Sequence, residues 1–262
     1  MGDMILEKLD VRGVEVQLSR AGRGQPLLLL DSGFSFEHDF AGRLAERFQV
    51  IAPLHPGFGG ARRPDQIDTV DDLAYLYLDL LQQLDLRDVT IVGCSMGGWI
   101  AAEVAVRCSD RLARLVLVDA LGIKVSDRET PDIADMFAIS DEELMALLFR
   151  APAKFKIDAN ALSERALAHV AEDRASLALY LWEPYAHNPK LLGRLGRIEL
   201  PTLVVWGQHD GLVKPEYGRR FAAAIPGAAF EIVPDCGHLP QVERPDRLME
   251  YITAFAADGR TR

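Results

Sequence analysis

A serine, an aspartate and a histidine that lie far apart in the sequence are the residues best suited to chemistry. Ser95 stands in Gly93-Cys94-Ser95-Met96-Gly97, a G-x-S-x-G pattern typical of a serine at a sharp turn between a strand and a helix. Serine alone is a weak nucleophile, so it needs a general base and a group that orients the base. His238 can be that base and Asp210 the orienting carboxylate. The chemistry of such a trio is nucleophilic attack on an acyl group.

The residues around Ser95 predict the strand and the helix that such a turn requires. Residues 89–92 are β-branched, which is typical of a parallel strand covered on both faces, and residues 99–106 are apolar at helical spacing. Gly93 and Gly97 provide the room that a strained turn needs, because they have no Cβ. We therefore expect the serine hydroxyl at the N-terminus of the helix, where free N–H groups and the helix dipole favour the negative charge of acyl transfer.

Asp210 and His238 each follow a predicted strand, over residues 201–207 and 230–233. The carboxyl ends of parallel strands lie at one edge of a sheet, so we expect both side chains near Ser95. The chain order Ser, Asp, His is the order that accompanies this type of turn.

The order of predicted strands and helices along the rest of the chain indicates one α/β core interrupted by a helical insertion. An opening hairpin is expected over residues 5–18, and after it strands alternate with amphipathic helices, which implies a mostly parallel sheet. From about residue 126 to residue 199 the charges increase, β-branched runs vanish and helical patterns dominate around 141–150 and 160–182. We therefore predict a core domain over 1–125 and 200–262 and a helical cap over 126–199.

Composition excludes several classes of partner. The chain has 262 residues, 49% of them hydrophobic, and a formal net charge of −10. This charge disfavours nucleic acid and anionic membranes, which need clustered Lys and Arg. We find no signal-peptide pattern and no run of transmembrane length, and the three cysteines lack metal-ligand spacing. We expect a cytoplasmic protein without metal, cofactor, nucleic-acid partner or membrane partner, and the sequence leaves a homodimer open.

Three segments make the chain resemble the α/β-hydrolase superfamily. They are the Ser95 turn, the acid segment over 206–215 and the base segment over 234–238. The resemblance extends from the hairpin to the closing helix. It implies an α/β-hydrolase fold, with a mostly parallel eight-stranded sheet flanked by helices and carrying an inserted cap. It also implies that Ser95 is the nucleophile, His238 the base and Asp210 the acid.

The resemblance has further implications for the residues around this trio. It implies an oxyanion hole formed by the backbone N–H groups of Met96 and Phe34. Some members carry the acid after the preceding strand, which makes Asp119 a rival of Asp210, although we expect Asp119 to cap or anchor a loop. Most members have His-Gly where this chain has Ser32-Gly33, and Asp where it has His55. Since a backbone donor needs only the turn, the hole remains an expectation, and His55 is expected to support the loop.

The nearest branch of this superfamily includes esterases, enol-lactonases and meta-cleavage-product hydrolases, which split carbon–carbon bonds of ring-opened aromatics. The last group usually carries Asn before the serine, Trp after the histidine and a cap arginine that binds the substrate carboxylate. This chain has Cys94 and Leu239 at the first two places. Arg165 and Arg174 are candidates for the third, although a solvated helix face explains either one.

We therefore expect a cofactor-independent serine hydrolase of a small or medium carboxylic ester or lactone that acts through an acyl-enzyme. Val213 and Leu239 flank the acid and the base with apolar groups, which predicts a pocket for an apolar acyl group. A carbon–carbon bond hydrolase is the alternative within the same fold. A non-catalytic ligand-binding protein or a cofactor-free peroxidase is the alternative from another class.

Overall fold

A central eight-stranded sheet organises the chain, of which a computed structural model describes residues 4–36, 38–108, 110–155 and 162–257. The strand order is β1-β2-β4-β3-β5-β6-β7-β8, with antiparallel pairing of β1 with β2 and of β2 with β4. The pairing is parallel from β4 to β8. The predicted α/β class and the mostly parallel sheet are therefore confirmed. The strands are β1 Ile5–Val11, β2 Val14–Ala21, β3 Pro26–Leu30, β4 Gln49–Pro53, β5 Val89–Cys94, β6 Leu112–Val118, β7 Thr202–Gly207 and β8 Ala229–Val233.

Helices cover both faces of the sheet, and a separate apolar core lies between the sheet and the helices on each face. Side chains of α2, α3 and α6 pack into the larger core on one face, and those of α1 and α8 pack into the core on the other. This arrangement explains why β5 is buried along its whole length and carries no polar face. The helices are α1 Phe40–Ala45, α2 Val70–Gln83, α3 Met96–Arg107, α4 Asp141–Leu148, α5 Glu164–Leu181, α6 Pro215–Ala223, α7 Pro240–Glu243 and α8 Pro245–Ala257.

Local sequence signals account for several helix starts. Thr69 accepts a hydrogen bond from the backbone of Asp72, whose carboxylate accepts one from the backbone of Thr69, so a capping box begins α2. Pro245 begins α8, as its fixed φ favours. The short helix α7, directly after His238, was not predicted from the sequence.

We call the chain between β6 and β7 the cap segment; its described residues include α4, α5 and the short 3₁₀ helices Pro152–Lys154 and Leu192–Arg197. The helix predicted over 141–150 ends at Leu148, and the one predicted over 160–182 begins at Glu164. Residues 160 and 161 of that prediction lie outside the described residues. The assignment of 126–199 as a separate cap domain stays a prediction. No helix within the described ranges is both long and apolar enough to cross a lipid bilayer.

Candidate active site

Ser95 lies in a strained turn between the central strand β5 and α3. Its backbone angles are φ 51° and ψ −116°, a conformation that side-chain-bearing residues rarely adopt. The flanking glycines make the turn sterically feasible: a Cβ on Gly93 would collide with the carbonyl oxygen of Gly97, and a Cβ on Gly97 with that of Leu30. The turn thus places the Ser95 side chain at the N-terminus of α3, where the first amides lack intrahelical partners.

Ser95, His238 and Asp210 form a hydrogen-bonded chain. The Nε2 atom of His238 lies 2.8 Å from Ser95 Oγ, and its Nδ1 atom lies 2.8 Å from Asp210 Oδ2. The three side chains are almost completely buried. Asp210 Oδ1 accepts hydrogen bonds of 2.9 Å from the amides of Leu212 and Val213. These two bonds fix the direction of the carboxylate. The structure thus brings together the three residues predicted from the sequence.

Asp119 is a second buried carboxylate beside this chain. Its Oδ1 atom accepts a 2.8 Å hydrogen bond from the amide of Gly207, at the end of β7, which is the loop-anchoring contact expected of it. Burial raises the pKa of Asp119 well above its ordinary value, and the negative charge of Asp210 raises it further. Within the described residues, His238 Nδ1 donates its hydrogen bond to Asp210 and makes none to Asp119.

Asp119, Asp210 and His238 also form the one His, Cys, Asp or Glu group with metal-ligand spacing in the part of the chain that the structure describes. One ligand atom of each lies within 4.8 Å of the others. The atoms that Asp210 and His238 would offer are bonded to each other at 2.8 Å, so an ion would have to replace that hydrogen bond.

The loop that carries His238 is held from the cap segment and from α7. The amide of His238 donates a 2.7 Å hydrogen bond to the carbonyl oxygen of Leu148. Glu243, a largely buried residue of α7, accepts hydrogen bonds from the amides of Gly237 at 2.7 Å, Arg150 at 3.1 Å and Ala151 at 3.0 Å. Glu243 therefore fastens the histidine loop to the cap segment. The sequence analysis missed this residue, since no local pattern distinguishes it from a surface acid.

The loop after β3, residues 31–36, lies beside the Ser95 turn, and we call it the oxyanion loop because it carries the predicted donor Phe34. The amide of Phe34 donates to Ser32 Oγ at 3.3 Å, which is longer than usual for such a bond. Gly33 has a φ of +78°, and a Cβ on it would lie 3.2 Å from Met96 Cε and 3.2 Å from Leu177 Cδ1. The loop is therefore packed between the Ser95 turn and α5. The oxyanion hole itself stays a prediction.

A buried network supports the start of the oxyanion loop. His55 Nε2 lies 3.0 Å from the carbonyl oxygen of Asp31, and its Nδ1 lies 2.5 Å from Tyr77 Oη. Burial lowers the pKa of His55, which favours the neutral ring. A neutral ring that donates from Nε2 to Asp31 accepts at Nδ1 from Tyr77. His55 thus supports the loop, as expected.

The Asp31 carboxylate is paired with His38, another contact that the sequence did not indicate. Their side chains lie 3.0 Å apart. Burial opposes the charge on each residue, but the hydrogen bond and attraction between them outweigh it, so the pKa of Asp31 is lowered and that of His38 is raised. The two shifts indicate a partly buried ion pair at the base of the oxyanion loop.

A cavity of about 700 Å³ lies between the oxyanion loop and the cap segment. Its wall is mainly apolar and includes Phe34, whose ring meets that of His238 edge-to-face at a centroid distance of 6.1 Å. The cavity therefore ends at a residue in contact with the base. Its lining residues are Gly33, Phe34, Ser35, Phe36, Met136, Phe137, Asp141, Glu142, Leu144, Met145, Ala146, Leu148, Pro152, Ala153, Leu162, Leu167, Val170, Arg174 and Leu177.

Val213 and Leu239, the residues predicted to bind substrate, are fully buried and lie outside this lining. Val213 uses its amide to bond Asp210 and its carbonyl oxygen to accept from Trp206 Nε1 at 3.0 Å. Contact of either residue with substrate stays a prediction. Of the two candidate arginines, Arg165 is exposed and does not line the cavity, whereas Arg174 lines it and is paired with Asp141.

Comparison with known proteins shows which family the chain is similar to. Residues 29–245 match a family model described as the alpha/beta hydrolase fold. The chain is 31% identical to 2-hydroxy-6-oxo-6-(2'-aminophenyl)hexa-2,4-dienoic acid hydrolase of Metapseudomonas resinovorans, over 93% of this chain and 88% of that protein. It is 27% identical to Lipase 1 of Psychrobacter immobilis, over 88% and 77% of the two chains.

A solved structure of a thermophilic esterase from Thermogutta terrifontis is also similar. The TM-score is 0.74 at 26% sequence identity, and the match covers 97% of this chain and 98% of that one. The family match covers most of the chain and includes the Ser95 turn, Asp210 and His238. This chain therefore belongs to the α/β-hydrolase fold family, and it is a hydrolase of that fold.

Proposed function

We propose that the protein is a cofactor-independent serine hydrolase that cleaves a small or medium carboxylic ester or lactone through an acyl-enzyme. The observation that carries the proposal is the hydrogen-bonded chain from Ser95 Oγ through His238 to Asp210, with both links at 2.8 Å. These distances lie within the range that proton transfer requires.

The proposed reaction has two halves. In the first, Ser95 Oγ attacks the acyl carbon while His238 Nε2 takes the hydroxyl proton, and His238 then gives that proton to the departing alkoxide. In the second, His238 takes a proton from water, which attacks the acyl-enzyme, and His238 then gives that proton to Ser95 Oγ as the carboxylic acid is released. Asp210 holds the ring and stabilises its positive charge in both halves.

The developing oxyanion would be bound by the amides of Met96 and Phe34. The Met96 amide belongs to the first turn of α3, so no carbonyl within the helix competes for it. Among the residues that the structure describes, the Phe34 amide is held only by the long 3.3 Å bond to Ser32 Oγ, and an anionic oxygen is a much stronger acceptor than a neutral hydroxyl. We therefore expect the oxyanion to replace Ser32 as the acceptor.

We expect the preferred substrate to have an uncharged, apolar acyl group, because the wall of the cavity is mainly apolar. Apart from Ser35, its polar lining residues are Asp141, Glu142 and Arg174. Arg174 forms an ion pair with Asp141, so the positive charge is already neutralised and Glu142 adds a negative one. Such a wall favours apolar groups and repels anions.

A carbon–carbon bond hydrolase is the second candidate, because the Metapseudomonas resinovorans relative that is 31% identical is named as a hydrolase of a dienoic acid. This reading requires a cation for the substrate carboxylate, and Arg174 is the candidate in the cavity wall. Initial rates on p-nitrophenyl acetate, butyrate and octanoate and on a ring-fission dienoate separate the two proposals.

We expect the esters to be turned over and the kcat/KM to rise by up to about tenfold per added methylene until the cavity is filled. Arg174→Gln should leave ester turnover within about threefold of wild type, since the pair it breaks is exposed. Arg165→Gln is the matched control outside the cavity. The contrary result is a turnover of the dienoate well above that of the best ester, lost in Arg174→Gln but kept in Arg165→Gln. The second candidate would then replace the esterase proposal.

A further inference from the structure

The inner face of α5 lies against two loops of the core. Ser176 Oγ donates to the carbonyl oxygen of Gly57 at 2.8 Å, and Tyr180 Oη donates to that of Pro56 at 2.9 Å. Leu177, one residue from Ser176, borders Gly33 of the oxyanion loop. Residues 173, 176, 177 and 180 therefore share one face of the helix, as their spacing of three and four requires.

Asp173 is the charged member of this face, and it contacts both loops at once. Its Oδ2 atom accepts a 2.6 Å hydrogen bond from Ser35 Oγ, in the oxyanion loop. Its Oδ1 atom accepts a 2.8 Å hydrogen bond from the amide of Gly59, in the loop after β4. The residue is 8% exposed, so both bonds are shielded from water. A largely buried carboxylate with a donor on each oxygen holds its partners strongly.

Ser35 directly follows Phe34, the predicted oxyanion donor. In the described part of the chain, the one bond of the Phe34 amide is the 3.3 Å bond to Ser32 Oγ, and a bond of that length does little to fix the direction of the amide. Within the described residues, Asp173 makes the only side-chain hydrogen bond from the cap segment to the oxyanion loop. The residue next to the predicted donor is thus tied to a residue of the cap segment.

We propose that Asp173 is a positioning residue that sets the oxyanion loop from the cap segment, so that the seating of α5 controls how well the Phe34 amide meets the oxyanion. The inference rests on the proposed function, since the amide has this role only if Ser95 attacks an acyl group. It assigns to the cap segment an effect on the rate of the chemical step, in addition to its place in the cavity wall.

The chain offers variants that separate positioning from cap attachment. Asp173→Ala removes both bonds. Asp173→Asn retains them, because its Oδ1 can accept from Gly59 and its Nδ2 can donate to a rotated Ser35 hydroxyl. Ser176→Ala is the matched control, because it removes a bond from the same face of α5 that goes to Gly57 and not to the oxyanion loop. Ser35→Ala breaks the link from the loop side and leaves the Gly59 bond intact.

The experiment measures two quantities on the full chain: ester hydrolysis, and amide hydrogen exchange of the peptide containing residues 31–36. We expect Asp173→Ala and Ser35→Ala to lower kcat roughly ten- to hundredfold, a part of what one oxyanion donor supplies. We expect the KM to change by less than about threefold, because the lost interaction acts in the transition state. Exchange of the peptide should rise in both variants, and Asp173→Asn and Ser176→Ala should resemble wild type in both readouts.

Unchanged exchange of this peptide in Ser35→Ala and Asp173→Ala overturns the inference, and so does faster exchange with an unchanged kcat. An equal loss of kcat in Ser176→Ala also overturns it, because general loosening of the cap segment would then suffice. If Asp173→Ala does not fold, Ser35→Ala alone decides. Absence of ester turnover in wild type defeats the proposed function instead, and exchange still reports whether Asp173 holds the loop.

Discussion

The ring of Phe34 meets the ring of His238 edge-to-face, and the same phenyl group forms part of the cavity wall. One residue thus carries the predicted oxyanion donor on its backbone and a barrier on its side chain. The phenyl group is a partial barrier, since it lines the cavity under the cap segment and contacts the buried base.

Removing this barrier should change the chain-length preference. In Phe34→Ala the backbone amide remains, and the path from the cavity to His238, which the phenyl ring partly occupies in the wild type, becomes wider. We expect the ratio of kcat/KM for p-nitrophenyl octanoate to that for acetate to rise by about tenfold. Phe137→Ala is the control, because Phe137 lines the cavity and contacts Tyr185, with no ring contact to His238. An equal rise in both variants would mean that cavity volume, and not the barrier, sets the preference.

Replacement by asparagine should lower the kcat strongly at one of the two buried aspartates, Asp210, and only slightly at the other, Asp119. Asp210→Asn should lower kcat by about 10⁴-fold, because the amide favours the wrong tautomer of His238. Asp119→Asn should keep most of the activity, because its raised pKa favours the neutral acid, which the amide resembles. Steady-state kinetics on one ester decide, and the reverse ranking would assign the role of the acid to Asp119.

Gly97 should be required for the stability of the fold, because a Cβ at this position has no room. In Gly97→Ala the new Cβ meets the backbone oxygens of Leu30 and Asp31, which cannot rotate away. We expect the free energy of unfolding to fall by about 2 kcal/mol or more, on the scale of overpacking. Gly193→Ala is the control, since no heavy atom lies within 4 Å of its Cβ, and its change should stay within about 1 kcal/mol. Urea denaturation of the two variants provides the comparison.

The Asp31–His38 pair should make stability depend on pH. The raised pKa of His38 means that its contribution is fully present below the ordinary value of 6.5 and is lost as the pH rises through the folded-state pKa. The lowered pKa of Asp31 means that its contribution is present above the ordinary value of 3.8 and is lost as the pH falls through its folded-state pKa. The pair should therefore stabilise most between these two values.

The measurement is the difference in thermal midpoint between wild type and His38→Gln across this range. We expect the difference to be largest near pH 5 to 6 and to shrink on both sides. A difference that is constant with pH would show that His38 contributes through packing and not through its charge.

The sequence predicted the site where local sterics and topology determine it. Gly93 and Gly97 are readable because the turn excludes a Cβ, whatever surrounds it. Asp210 and His238 are readable because each follows a buried strand, and parallel strands end at one edge. Both arguments use only residues close in sequence or a rule about sheets, and the positions of all three side chains followed from them.

The residues that hold the site were not predictable in this way. Asp173 bonds Ser35 across 138 positions, and Glu243 bonds Ala151 across 92. A carboxylate that bonds distant amides has no local signature, although an acid that shares a helix face with Leu177 and Tyr180 was a usable hint for Asp173. Closeness to Asp210 in the sequence also did not predict contact with the cavity, since Val213 flanks Asp210 yet lies outside the cavity lining.

Covalent labelling with a fluorophosphonate tests the assignment of Ser95 as the nucleophile. Attack by Ser95 Oγ forms an oxygen–phosphorus bond and expels fluoride, so intact-mass and peptide analysis should find one adduct, on Ser95, in wild type. Ser95→Ala should take up no label and lose ester turnover while keeping its fold. An adduct at another residue, or ester turnover that survives in Ser95→Ala, would show that Ser95 is not the nucleophile.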